Sequence, residues 1–234
     1  MDSAEVGKYI ESVAVRIGFH DGGSLAGTGV LYTLQTQNRA VVLTAGHVLQ
    51  RALAKSHSCQ AVLCVGSESG AKDIFLELAD SSNDKAANIH YCPGFMIDSG
   101  KYIFDAAIIE VPWSDWMQDI PEIHFGEAKI SAQVKLMGFP KSTDSEATPT
   151  DWTRGRMSLS AEIPTSADND KEKAFKFSYT SPNSYPIERD DLMSGYSGSG
   201  LFLCDAARPK LIGLVSQSYG SDNVGNVAWA VSSY

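Results

Sequence analysis

Apolar residues in this chain recur mostly at every second position. Val13, Val15, Ile17 and Phe19 alternate with other residues across 12–19, the two-residue period that gives a strand two distinct faces. A turn, Asp21-Gly22-Gly23-Ser24, leads to a second strand, Ala26-Gly27-Thr28-Gly29-Val30-Leu31-Tyr32, entered through glycines. Residues 38–43 read as a third strand, with Val41, Val42 and Leu43 apolar on both faces as inside a barrel. Further strands are expected at 61–65, 74–78, 101–111, 133–138, 174–180, 200–204, 211–216 and 226–231, separated by turn residues at fairly regular intervals. Residues 3–11 suit one or two helical turns. Strands do not alternate with helices as a parallel sheet requires, so the pattern predicts an all-β chain of two antiparallel β-barrels.

Two polar stretches interrupt the strands. Residues 113–130, with Trp113, Trp116 and Pro121, suit a crossing between two halves. Residues 141–172, rich in Ser, Thr, Asp and Pro, read as a long surface loop. The expected division is therefore 1–112, a linker 113–130, and 131–234. There is no internal repeat and no low-complexity segment.

Composition narrows the classes. A chain of 234 residues with 43% hydrophobic content can bury a real core. Its net charge of −9 argues against a nucleic-acid surface, which needs a basic stripe. Cys59, Cys64, Cys92 and Cys204 lack the paired spacing of a zinc site. The spacing allows a Cys59–Cys64 bridge, but so few cysteines in a long chain favour buried thiols. The start, Met1-Asp2-Ser3-Ala4-Glu5-Val6, lacks the basic and apolar regions of a signal peptide, and no apolar run reaches membrane-spanning length. The expected location is cytoplasmic. Val231-Ser232-Ser233-Tyr234 ends without a helix or polar tail, so a part of a longer polypeptide is expected.

Three stretches carry chemistry. In Met193-Ser194-Gly195-Tyr196-Ser197-Gly198-Ser199-Gly200-Leu201-Phe202, glycines force a tight turn and leave a serine with little cover ahead of an apolar strand. Alone, it reads either as a glycine-serine hairpin loop or as a rigidly held nucleophile with free N–H groups beside it. Val41-Val42-Leu43-Thr44-Ala45-Gly46-His47-Val48-Leu49 sets a histidine directly after a buried strand. Phe104-Asp105-Ala106-Ala107-Ile108-Ile109-Glu110-Val111 sets an aspartate at the head of an apolar one; if buried, it needs a partner, for which a histidine is suited. His20, His57, His90 and His124 have less telling contexts and receive no role.

In order, Thr44-Ala45-Gly46-His47, Asp105-Ala106-Ala107-Ile108-Ile109 and Gly195-Tyr196-Ser197-Gly198-Ser199-Gly200 resemble the trypsin-like, chymotrypsin-fold serine peptidases. Gly27-Thr28-Gly29-Val30, Lys135-Leu136-Met137-Gly138-Phe139-Pro140 and Leu211-Ile212-Gly213-Leu214-Val215-Ser216 extend the resemblance over nearly the whole chain. It implies an active site in the cleft between the barrels and a catalytic triad of His47, Asp105 and Ser197. It further implies an oxyanion hole from the N–H groups of Gly195 and Ser197, with Ser216 behind the aspartate and lining the substrate strand. No metal or organic cofactor is implied, and the partner is a protein or peptide substrate. The competing class is a peptidase-fold binding or scaffold module without activity.

The departures are as informative. Secreted digestive members carry an aspartate before the nucleophile that pairs with a new N-terminus after zymogen cleavage; here that position is Tyr196. Their half-cystine after the histidine is Val48. Both point to the bacterial and intracellular branches, with control supplied by a partner, an attached domain or loop rearrangement. Asp191 lies six residues before Ser197, where the resemblance puts the base of the specificity pocket and so a preference for Arg or Lys. Asp190 and Arg189 adjoin it, and Ser218 and Asn226 replace the pocket-wall glycines. A solvated acidic loop remains the alternative for Asp191.

Overall fold

The computed structural model describes residues 3–19, 25–53, 58–66, 70–80, 87–93, 95–98, 101–103, 105–127, 132–139, 157–162, 174–180, 195–204, 208–222 and 225–232. The chain opens in helix α1 (Ser3–Val13), three turns where one or two were expected. Val6, Ile10 and Val13 recur at helical spacing and all are buried, so Val13 ends the helix stripe rather than starting a strand. Strand β1 (Ala14–Phe19) then buries Val15 and Ile17 completely.

Strands β2 (Leu25–Leu34) and β3 (Arg39–Thr44) form an antiparallel hairpin. Val42 is fully buried in the first core, while Leu43, on the opposite face and half-buried like Val41, packs against a second apolar cluster. Helix α2 (Gly46–Leu53) follows at once, which the strand pattern did not anticipate. Ala45, Val48, Leu49 and Leu53 supply the three-and-four spacing that buries one side of it.

Next come β4 (Ser58–Val65), β5 (Lys72–Ala79), β6 (Ile89–Tyr91), β7 (Met96–Asp98), β8 (Lys101–Ile103) and β9 (Ala107–Val111). The single strand expected over 101–111 is two: β8 pairs with β7, whereas β9 pairs with β3 and β6. Asp105 lies in the break. The first sheet runs β5-β4-β1-β2-β3-β9-β6, curled around a core that includes Leu31, Val42, Leu49, Leu63, Leu78 and Ile109.

The second half holds β10 (His124–Phe125), β11 (Gln133–Gly138), β12 (Met157–Glu162), β13 (Ala174–Thr180), β14 (Gly200–Leu203), β15 (Lys210–Asp222) and β16 (Gly225–Ser232). Their order is β10-β15-β14-β11-β12-β13-β16, and β15 also pairs with β16, so the last six close on themselves. Only β10, beside β15, is parallel to its neighbour among the described pairs. Strand β12 corrects the reading of 141–172 as loop throughout. Its neighbours β11 and β13 satisfy its backbone on both sides, so the strand holds in a polar stretch. Likewise β15 runs well beyond 216 because β16 pairs along its length.

A second apolar cluster joins these strands to α1. Val6, Ile10 and Val13 pack with Met137, Phe139, Phe202, Leu211 and Leu214. Tyr9 stands edge-on to Phe202, with ring centroids 6.1 Å apart, and its hydroxyl donates to the Glu122 carbonyl at 2.8 Å. The first helix therefore braces the strand that leaves the Ser197 turn.

Candidate active site

Register brings the acid and the base together. Thr44, the last residue of β3, pairs with Ala107, the first of β9, so the two strands end side by side. The chain turns from β3 through Ala45 into α2, which places His47 in the helix's first turn. Asp105 sits two residues before β9, and the adjoining Ala106 carbonyl accepts the Cys92 N–H at 2.8 Å.

The His47 N–H donates to Asp105 Oδ1 at 2.8 Å, while His47 Nδ1 lies 2.6 Å from Asp105 Oδ2. The Ser216 hydroxyl donates to Asp105 Oδ2 at 2.5 Å. His47 and Asp105 are only 3% and 1% exposed. A carboxylate so enclosed needs hydrogen-bond partners, and these three contacts supply at least one to each oxygen. His47 Nε2 points the other way and meets Ser197 Oγ at 3.0 Å. Ser197 itself is half-buried and remains reachable.

The Ser197 turn is held by backbone. Gly195 and Gly198 have φ of +91° and +86°, in the left-handed region that side chains disfavour. A Cβ on Gly198 would also collide with the Thr28 carbonyl and Thr44 Oγ1. The Gly198 N–H donates to the Val215 carbonyl at 2.7 Å, and the Val215 N–H donates to the Ser199 carbonyl at 2.9 Å. These two bonds lay β15 against the turn and deliver Ser216 to Asp105. Tyr196 is fully buried, its ring occupying the space that a Cβ on Gly138 would need. Among the described residues, no acceptor takes the N–H of Gly195 or Ser197.

The structure thus brings together His47, Asp105, Ser197 and Ser216, with Gly195 in the same turn. Ser218 lies on β15 opposite Ala228, and Asn226 lies on β16 opposite Tyr179. Asp191, with Arg189 and Asp190, lies outside the described residues. Thr28 was read only as part of a glycine-flanked strand, yet four hydrogen bonds converge on it at this turn. Its signal in the sequence was its place between Gly27 and Gly29, where a missing Cβ on either side lets another backbone approach. Among the described residues, no three His, Cys, Asp or Glu side chains converge as a metal-binding set.

No family model matches the chain, and no curated protein matches it significantly in sequence. Solved structures do resemble it. Neuropsin, a serine protease expressed in the limbic system of mouse brain, superposes with a TM-score of 0.61 at 15% identity, covering 96% of this chain and 91% of that one. The inactive form of a serine-to-alanine mutant of Rv3671c from M. tuberculosis H37Rv superposes with a TM-score of 0.53 at 16% identity, covering 99% and 88%. Such identities speak to architecture, and together with the two curled sheets they show that the chain has the chymotrypsin-like two-barrel fold.

Proposed function

We propose that this protein is a trypsin-like serine endopeptidase that cleaves protein or peptide substrates through an acyl-enzyme on Ser197. One observation carries the reading: an unbroken hydrogen-bonded run from the buried Asp105 carboxylate through His47 to the reachable Ser197 hydroxyl. His47 Nε2 takes the Ser197 proton as Oγ attacks the scissile carbonyl, and returns it to the leaving amine. Asp105, bonded to both the backbone and the ring of His47, holds one tautomer and balances the imidazolium. The N–H groups of Gly195 and Ser197 receive the charge that develops on the carbonyl oxygen. Water then repeats the sequence on the acyl-enzyme.

The likeness to neuropsin supports peptide-bond chemistry by analogy of fold. All four cysteines are thiols, which favours a member of the bacterial or intracellular type in a reducing, cytoplasmic setting; cell fractionation checks the location. We further propose that the protein is the effector part of a larger regulated polypeptide or complex, and that Asp191 gives a preference for Arg or Lys before the cut.

A fluorophosphonate probe tests the chemistry, because only an activated serine reacts. Wild type should be labelled and should cut a peptide library, and Ser197→Ala should do neither while keeping its thermal melt. A folded wild type that takes no label would make the protein a binding module on a peptidase fold. In the same digest, cuts should follow Arg or Lys, and Asp191→Ser should lose that preference while still taking the label. Cuts after Glu or small apolar residues would move the selection to other loop residues.

A further inference from the structure

We propose that the Thr28 hydroxyl is a positioning group that sets the oxyanion-binding face of the Ser197 turn, an inference that rests on the peptidase reading above. Thr28 lies in β2, within the first sheet, and is completely buried. Its Oγ1 donates to the Gly195 carbonyl at 2.6 Å and accepts the Phe139 N–H at 3.3 Å. Its own N–H donates to the Ser197 carbonyl at 2.8 Å. Its carbonyl accepts the Thr44 hydroxyl at 2.7 Å.

These bonds grip the turn at two points, the carbonyls of Gly195 and Ser197. A peptide unit is planar, so fixing the Gly195 carbonyl fixes the whole plane that links Gly195 to Tyr196. That plane lies between the two N–H groups assigned to the oxyanion. Gly195 sits at φ +91°, where glycine has ready alternatives, so local geometry alone does not select one orientation of its carbonyl. The hydroxyl supplies the selection. Thr28 N–H alone would anchor Ser197 whatever the side chain; the Gly195 contact requires the oxygen. Donors already aimed at the developing charge need no rearrangement during reaction, which is where such a site gains its rate.

Thr28→Val keeps the shape and deletes the hydroxyl, and Thr28→Ser keeps the hydroxyl. Thr28→Val should lower kcat by roughly tenfold to a hundredfold, less than the loss of a direct oxyanion donor, with KM within about twofold. Thr28→Ser should recover most of that kcat. A second readout does not depend on turnover: hydrogen exchange followed by mass spectrometry. Within 195–199 the bonded amides of Gly198 and Ser199, and that of Phe139, should exchange faster in Thr28→Val, while β4 and β5 remain as in wild type. Unchanged exchange in 195–199 overturns the clamp whether or not the protein cuts anything. Full kcat in Thr28→Val, or an equal loss in Thr28→Ser, overturns the positioning role. A wild type that reacts with no fluorophosphonate removes the peptidase reading and this inference with it, and that result is distinct from an active wild type matched by Thr28→Val.

Discussion

At the scale of single residues, Asp105 concentrates the chemistry. Its two oxygens accept from the His47 N–H, the His47 ring and the Ser216 hydroxyl, and the residue itself is buried. An amide in its place offers one acceptor and one donor, so one of these donors would face another. If the amide nitrogen faces Nδ1, the ring adopts the tautomer that leaves no acceptor for the Ser197 proton. Asp105→Asn is therefore expected to lower kcat by about 10⁴-fold, the size of the same exchange in the Ser-His-Asp template, with KM little changed. Steady-state kinetics on a cleavable peptide measures it. A loss below about tenfold would mean that Asp105 does not set the imidazole tautomer.

At the scale of elements, α1 shows how a segment outside the barrel strands contributes. Its buried stripe covers Phe202 and Leu211, and Tyr9 completes the cover. Burial, with the nearby Glu122 adding and Arg208 opposing, pushes the Tyr9 phenol up to about 12. The unfolded phenol titrates near 10, so the neutral group's contribution to stability is fully present below pH ~10 and is lost as pH rises towards 12. Tyr91 is pushed up to about 12, again chiefly by burial, and acts in the same window. Denaturant midpoints measured from pH 8 to pH 12 should fall above about pH 10, and more gently in Tyr9→Phe than in wild type. Near neutrality Tyr9→Phe should cost about 1 kcal/mol for the lost bond to the Glu122 carbonyl. Parallel declines in the two proteins would show that the Tyr9 phenol titrates as a solvated one.

At the scale of the whole molecule, the Ser197 turn is gripped from both halves. Thr28 of the first sheet holds Gly195 and Ser197, and Val215 of the second holds Gly198 and Ser199. Tyr196 fills the space beside Gly138 as a buried ring and offers no carboxylate to a liberated amino group. Activity is thus expected without proteolytic release of a new N-terminus, and acetylation of the α-amino group should leave kcat/KM within about twofold, since no charge at that end is required. Intact mass of the probe-labelled species checks it. Label confined to an N-terminally cut form would refute the idea and return control to processing.

Alternating apolar residues determined the all-β class, because a strand with one buried face must repeat every two residues whatever it pairs with. The ordered stretches around His47, Asp105 and Ser197 marked the candidate site, since glycines at 195 and 198 and a charge heading an apolar strand are costly without a reason. Other features were decided only in three dimensions. Strand β12 exists because β11 and β13 flank it, and the break at Asp105 exists because β9 pairs with β3 while β8 pairs with β7. Helix α1 runs on through Val13 because its stripe meets the second core. The role of Thr28 left no trace in the sequence beyond its flanking glycines, because its partners, at 139, 195 and 197, are more than 100 residues away, and hydrogen bonds over that separation leave no local pattern.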